Sequence, residues 1–217
     1  MLVRDPEDSG NPALLLMRSV RLLPLRFKKY LGAVGIFELG NASHSLLILA
    51  ATSLLVPAHG MVRAAQLAGL LYVWRNFIQV LLSYPAGFLA DRLGHQRMLV
   101  LGYSLGALTA LVTLLAFWLN VSDLLVVVFS LAGTYTSIDE ALAATVPAEM
   151  VAKDELVFSY GALGLTRGLT KFVSSASVGF IWTEFSPILA FGMMTLFMAA
   201  GSMMMQRLQS TAHTQIR

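Results

Sequence analysis

The chain has 217 residues, of which 57% are hydrophobic and only 12% are charged, and its mean hydropathy is +0.71. A soluble globule of this length could not bury so many apolar side chains, so the composition indicates an integral membrane protein with the lipid bilayer as a partner. The net charge of +3 is small and the basic residues lie between apolar runs, which argues against nucleic-acid binding, while the absence of cysteine excludes disulfides and cysteine nucleophiles.

Six apolar runs follow a basic lead-in segment, residues 1–29, which we expect to lie at the cytoplasmic membrane surface. Each run is of the length that a helix needs to cross a hydrocarbon core about 30 Å thick. The runs are Tyr30–Val56, Ala64–Leu89, Met98–Leu119, Leu124–Ala144, Leu156–Trp182 and Ile188–Met205. The sequence therefore predicts an all-α bundle of six transmembrane helices over residues 30–206, followed by a cytoplasmic tail over residues 207–217.

Lysines and arginines are distributed unevenly between the two sides of this predicted bundle. If the amino terminus is cytoplasmic, the external loops carry only Arg63, and Arg75, Arg167 and Lys171 fall inside spans. The other eleven lie in cytoplasmic segments: Arg4, Arg18, Arg21, Arg26, Lys28, Lys29, Arg92, Arg97, Lys153, Arg207 and Arg217. Because basic residues are retained on the cytoplasmic side, we expect both termini to be cytoplasmic, in a membrane of the bacterial inner (plasma) membrane type.

The connection between the second and third runs carries the pattern G-x-x-x-D-R-x-G and then a further basic residue. We call this segment, with Gly87, Asp91, Arg92, Gly94 and Arg97, the latch loop. We expect Gly87 to let helices approach closely, Gly94 to permit a tight reversal, and the two arginines to anchor the loop. Asp91 can accept hydrogen bonds from the free N–H groups of a neighbouring helix.

The latch loop resembles the cytoplasmic loop signature of the major facilitator superfamily of transporters. His95 and Gln96 stand where that family usually has basic residues. Three further segments resemble its seventh, tenth and eleventh helices: the segments 40–47, 139–149 and 172–182. The resemblance implies the carboxy-terminal half of a twelve-helix transporter, with an amino-terminal six-helix half missing.

Glu38 lies nine residues beyond Lys29, which places it about 14 Å into the membrane by helical rise, near the midplane. On a continuous helix the side chains of Asn41, His44 and Ser45 would share its face within about 120°. Since the family's seventh helix lines the central cavity, this polar arc is a candidate for contact with substrate or protons. The alternative is a satisfied Glu38–Asn41 pair, with His44 donating to a backbone carbonyl.

Arg167 and Lys171 lie one turn apart in the fifth run. Facing lipid, the two would cost about 5–7 kcal/mol on the insertion scale, so we expect them to face protein or water. Substrate contact, contact between halves and a structural ion pair remain alternatives. The small residues of the same run, Gly161, Gly164, Gly168, Ser175 and Gly179, form a track that we expect to permit close helix packing.

Arg75 is in the middle of the second run. The sequence leaves two roles open for it, as a structural partner of Glu38 or as a contact for a ligand. Asp139 and Glu140 precede the cytoplasmic end of the fourth run, as gate contacts or as an interfacial charge pair. The methionines of the last run are typical of packing, and the sequence indicates no metal site and no cofactor.

The resemblance implies transport of a small-molecule substrate by alternating access. Without a nucleotide-binding loop the energy source would be an ion gradient, and the family favours protons as the coupling ion. One rival is a complete six-helix protein that works as a homodimer, with a second copy as the other half. The other is an intramembrane serine hydrolase built on Ser104, whose G-x-S-x-G pattern lies in a continuous apolar helix rather than a strand-to-helix turn. We favour the transporter, with no catalytic residue.

Overall fold

The computed structural model describes residues 23–214, and all the regular structure in that range is helical. The sequence predictions that concern residues 1–22 and 215–217, including those for Arg4, Arg18, Arg21 and Arg217, lie outside the described residues. The helices are α1 (Leu25–Gly40), α2 (His44–His59), α3 (Met61–Leu93), α4 (His95–Leu119), α5 (Leu124–Leu142), the short α6 (Thr145–Ala148), a 3-10 turn (Lys153–Glu155), α7 (Leu156–Glu184) and α8 (Pro187–Thr214).

Four helical segments in the described part of the chain are long and apolar enough to cross a membrane. They are Leu25–His59, His95–Leu119, Leu124–Ala148 and Pro187–Ser210. Helices α3 and α7 have 33 and 29 residues, which is also sufficient length. They carry Arg75, Arg167 and Lys171 in their middle portions, and these charges make them less apolar.

The first run is not one helix, so the expectation of a continuous helix from Tyr30 to Val56 is wrong. Helix α1 ends at Gly40, and α2 begins at His44 after residues 41–43, which we call the break. The Ser43 hydroxyl accepts the Ser45 N–H and caps α2, while the Ser43 N–H donates to the Ser175 hydroxyl of α7 over 3.1 Å. These side chains replace the helical backbone bonds, so the break stays satisfied inside an apolar run.

Because of the break, the predicted polar arc is wrong at His44 and Ser45. Ser45 is exposed, and His44 no longer continues the rotation of α1, so only Glu38 and Asn41 keep the predicted relation. A Cβ on Gly40 would collide with the backbone of Met194 and Met198 in α8, because the two helices approach closely there. Gly40 therefore sets where α1 meets α8.

Helix α3 packs between α2 and α5, α4 packs between α5 and α8, and α1 packs against both α7 and α8. The largest hydrophobic cluster surrounds Phe37, whose ring stacks on Tyr103 with centroids 4.0 Å apart. A second cluster, around Phe129, joins α2, α3 and α5. The polar groups described next lie on α1, α3, α5 and α7 and in the break.

Two expectations about glycine packing are not met within this chain. A Cβ built on Gly87 meets nothing within 4 Å, and the same holds for the glycines of the α7 track: Gly161, Gly164, Gly168 and Gly179. Sequence spacing places these residues on a face but cannot tell whether a neighbouring helix covers it. Gly94, in contrast, has a φ of +95°, the positive value that a tight reversal requires and that glycine adopts without strain.

Candidate functional site

Glu38 is joined to α5 through the break. Its Oε2 accepts a hydrogen bond from Asn41 Nδ2 at 2.9 Å, and Asn41 Oδ1 accepts one from the Tyr135 hydroxyl at 2.8 Å. The Glu38 side chain is buried, with 4% of its surface exposed. The Glu38–Asn41 pair predicted as one alternative is therefore present, and Tyr135, which the sequence did not single out, extends it.

Arg167 and Asp139 form an ion pair between α7 and α5. Arg167 NH2 donates to Asp139 Oδ1 at 2.8 Å, and both side chains are largely buried. Of the alternatives that the sequence left open for Arg167, the structure contains the ion pair. Two buried tyrosine hydroxyls nearby, those of Tyr30 and Tyr103, have no hydrogen-bond partner in the described residues, and no sequence signal separated them from core aromatics.

Arg75 is 3% exposed and has only neutral hydrogen-bond acceptors around its guanidinium. The NH2 group contacts His44 Nε2 at 2.6 Å and donates to the Thr136 hydroxyl at 2.9 Å. The NH1 group donates to the side-chain oxygens of Asn76 and Gln79 at 2.8 and 3.0 Å. The Nε–H has no acceptor among the described residues.

No carboxylate of the described residues lies within 4.0 Å of the Arg75 guanidinium, so it does not pair with Glu38 as one prediction allowed. The connection to an acid is indirect, since Gln79 Nε2 donates to Glu140 Oε2 at 2.6 Å. Glu140 itself is exposed. His44 contacts Arg75 instead of the backbone carbonyl that its alternative role required.

A cavity of about 60 Å³ lies beside the break. It is bounded by the break, the first turn of α2, Arg75 and Tyr135, and by apolar or hydroxyl side chains of α4 and α8. We call it the break cavity. Of the candidate residues predicted from the sequence, the structure brings Asn41, His44 and Arg75 to its wall. Glu38, Asp139, Glu140, Arg167 and Lys171 do not line it.

The latch loop is organised around His95. Its Nδ1 lies 2.6 Å from Glu149 Oε1, just after α6, and its Nε2 lies 3.1 Å from Asp91 Oδ1. Gln96 accepts a hydrogen bond from Arg26, at the start of α1, at 2.9 Å. Both residues that depart from the family pattern thus connect the latch loop to other elements of this chain.

The remaining loop residues bound an open groove of about 620 Å³ at this end of the bundle. Arg92 lies over the Phe88 ring at 4.3 Å, and Arg97 and Gly94 line the groove. Asp91 keeps 76% of its side chain exposed, so it remains accessible to a further partner.

Ser104 lies inside α4, where its hydroxyl donates to the Val100 carbonyl at 2.8 Å and lies 3.2 Å from the Ser202 hydroxyl. Neither contact supplies the general base that a serine nucleophile needs. In the described part of the chain, no group of three or more His, Asp or Glu residues could hold a metal ion.

Comparison with known proteins agrees with the resemblance of the latch loop. The family model of the Major Facilitator Superfamily matches residues 32–215. A curated relative, described as an uncharacterized MFS-type transporter of Methanocaldococcus jannaschii, is 24% identical over 190 residues, which cover 87% of this chain and 46% of the relative. The chain thus spans less than half the length of that relative. Since the family model matches most of this chain, the chain belongs to the major facilitator superfamily, a family of membrane transporters and not of enzymes.

Proposed function

We propose that the chain is the carboxy-terminal half of a secondary transporter that moves a small solute by alternating access, driven by an ion gradient, with protons as the coupling ion. The observation that carries this proposal is the buried Glu38 beside a broken helix near the predicted midplane. Broken helices at the midplane supply binding sites in many transporters because their ends expose polar backbone groups.

The partner in this proposal is an amino-terminal six-helix half, and a second copy of this chain is the alternative. The open glycine track of α7 supports a missing partner, because a Cβ at Gly161, Gly164 or Gly168 has nothing near it. Close approach of another helix would fill that space. The chain length relative to the curated relative favours the same conclusion.

Uptake by reassembled protein tests the proposal. Vesicles that contain this chain together with a matching amino-terminal half should accumulate solute when a proton gradient is imposed, because protons that move down the gradient drive the uptake. Vesicles with the purified chain alone should not accumulate solute. Accumulation by the chain alone, with a cross-linked dimer in the same sample, would establish the homodimer instead. Accumulation by a verified monomer would contradict both.

Glu38→Gln is the variant that addresses coupling. The amide oxygen can still accept the hydrogen bond from Asn41 Nδ2, but the amide cannot exchange a proton, so gradient-driven uptake should be lost while solute exchange is retained. Ser45→Ala, on the exposed side of the break, is the matched control. An unchanged pH dependence of uptake in Glu38→Gln would leave Glu38 with a packing role.

The orientation in the membrane is also part of the proposal, with six spans and both termini cytoplasmic. Because the chain has no cysteine, single cysteines are clean probes. Cysteines at His59, Ser122 and Ser186 should react with an impermeant reagent applied to intact cells, and a cysteine at His95 should not. Reaction at His95 would reverse the assignment of sides.

A further inference from the structure

We propose that the break cavity binds a monocarboxylate group, with Arg75 and the amino terminus of α2 as its two positive partners. This inference rests on the proposed function, because it names the charge class of the solute that the site takes.

The first observation is the unbalanced charge of Arg75. Four of its N–H groups have neutral acceptors, so they are satisfied, but a hydrogen bond to an amide, a hydroxyl or an imidazole does not cancel a buried positive charge. A buried cation with no counter-charge is costly, and the Nε–H is unpartnered as well. Arg75 lines the break cavity, so an anion in it would supply the missing counter-charge.

The second observation is independent of Arg75. Helix α2 has 16 residues, and its first turn, from Ser43 to Leu47, forms part of the cavity wall. A helix of this length places a partial positive charge of about half a unit at its amino terminus. The Ser43 hydroxyl accepts the Ser45 N–H and is neutral, so no negative charge on this capping residue offsets the positive end of the helix dipole.

The carboxylates in the bundle do not supply the missing anion. Asp139 is paired with Arg167, and Glu38 accepts from Asn41 and does not line the cavity. Glu140 is exposed and reaches Arg75 only through the Gln79 amide. The counter-charge that Arg75 lacks must therefore come from outside this set of side chains.

Size and charge restrict the class of anion. A cavity of about 60 Å³ has room for a group of a few heavy atoms. One guanidinium and half a unit of helix charge match a monoanion better than a phosphate dianion, and the planar guanidinium suits the geometry of a carboxylate. Much of the remaining wall is apolar, including Leu46, Leu47 and Met194, so the attached part of the solute would be small and apolar.

The test uses sodium acetate as the probe and acetamide as its neutral analogue of the same shape. The full chain is purified into lipid nanodiscs, and its thermal midpoint is followed as acetate replaces chloride at constant ionic strength. Acetate should raise the midpoint because a ligand that binds only the folded state stabilises it, and acetamide should not. Arg63→Gln, at an exposed position in the first turn of α3, should behave as the wild type.

Two variants keep the test decisive even if one of them folds poorly. Arg75→Gln should raise the apparent dissociation constant for acetate at least tenfold. Ser43→Asp preserves a good helix cap but places a negative charge at the α2 terminus, so it should also lose the acetate effect while α2 stays folded. Equal stabilisation by acetate and acetamide, or an unchanged acetate effect in either folded variant, would overturn the proposal.

These outcomes are separable from those of the uptake experiment. Reassembled protein that transports a solute while the chain shows no acetate effect would reject the anion site and leave the transporter proposal intact. An acetate effect that depends on Arg75 and Ser43, in a protein that never transports, would reject the transporter and retain the site.

Discussion

Two arginines lie in the middle portions of their helices, Arg75 buried and Arg167 largely buried, and they are stabilised in opposite ways. Arg167 of α7 meets a carboxylate, Asp139 of α5, at 2.8 Å. Arg75 of α3 contacts an imidazole, a hydroxyl and two amides but no carboxylate of the described residues. Both have an Nε–H without an acceptor among the described residues, and Arg75 makes more hydrogen bonds than Arg167, so what Arg75 lacks is charge balance and not hydrogen bonds.

This difference separates a structural role from a binding role. An ion pair whose two members come from the same chain is complete without a ligand, and it fixes α5 against α7. A buried cation without an anion from the same chain does not prevent folding, but a ligand that carries negative charge would stabilise it most. Substitutions at the two centres should therefore differ in stability and in ligand response.

The largest effect is expected for Asp139→Asn. It leaves Arg167 buried without its counter-charge, and breaking a buried pair on one side costs about 3–5 kcal/mol. Denaturant unfolding of the purified chain in mixed micelles measures the loss. In the double variant Asp139→Asn with Arg167→Gln, part of the stability should return, because neither charge is then stranded. Additive losses in the double variant would show that the pair is not a unit.

Arg75→Gln should cost less, about 1–3 kcal/mol, because it removes a cation that has no carboxylate partner and leaves only neutral acceptors unsatisfied. The same unfolding experiment compares it directly with Asp139→Asn and with Arg167→Gln, which strands Asp139. If Arg75→Gln destabilised the chain as strongly as Asp139→Asn, Arg75 would be a structural residue and the contrast between the two centres would fail.

A smaller effect is expected at the cytoplasmic end, where His95 has the carboxylates that Arg75 lacks. Bonds from both ring nitrogens to Asp91 and Glu149 require two N–H groups, which only the protonated imidazole has. As pH rises through the range in which histidine titrates, one bond should be lost, and a spin label at the exposed Leu93, at the same groove, should become more mobile. Arg26 and Arg97 also border the groove, and because their charges do not change in that range they do not produce the effect.

His95→Lys should keep the label immobile over the whole range, and His95→Gln should make it mobile at every pH. Since both carboxylates are solvent-exposed, the change in stability should be small. An identical pH profile in wild type and His95→Gln would show that His95 does not hold the loop.

We propose that Asp91 acts as a conformational latch and not as a substrate ligand, and Asp91→Asn tests this. In the family, the equivalent aspartate contacts a helix end of the opposite half, a contact worth about 0.3–2 kcal/mol. The variant should change the transport rate of a reassembled transporter several-fold without changing the stability of the isolated chain. Unfolding of the isolated chain by Asp91→Asn would make Asp91 a loop-structuring residue.

The sequence alone indicated the membrane environment, the family and most of the helices, but not the break in the first run. Apolar runs of bilayer length are a local signal, since every backbone group in such a run must be bonded within its own helix. The positive φ of Gly94 is local as well, because it depends on a few consecutive residues. The same local signals predicted polar residues near the midplane, and all of those singled out lie in helices or at the break.

The tertiary structure decided which of these residues meet. Arg167 and Asp139 are 28 residues apart, and Arg75 and His44 are 31 apart, on different helices. Helical periodicity gives the relative direction of side chains within one helix, but the rotation of each helix and the identity of its neighbours depend on packing of the whole bundle. The break shows the limit most clearly. Asn41 and Ser43 carried the local tendency to interrupt a helix, and contacts from other helices, among them the Ser175 hydroxyl of α7 and the close passage of α8 along Gly40, stabilise the interruption there.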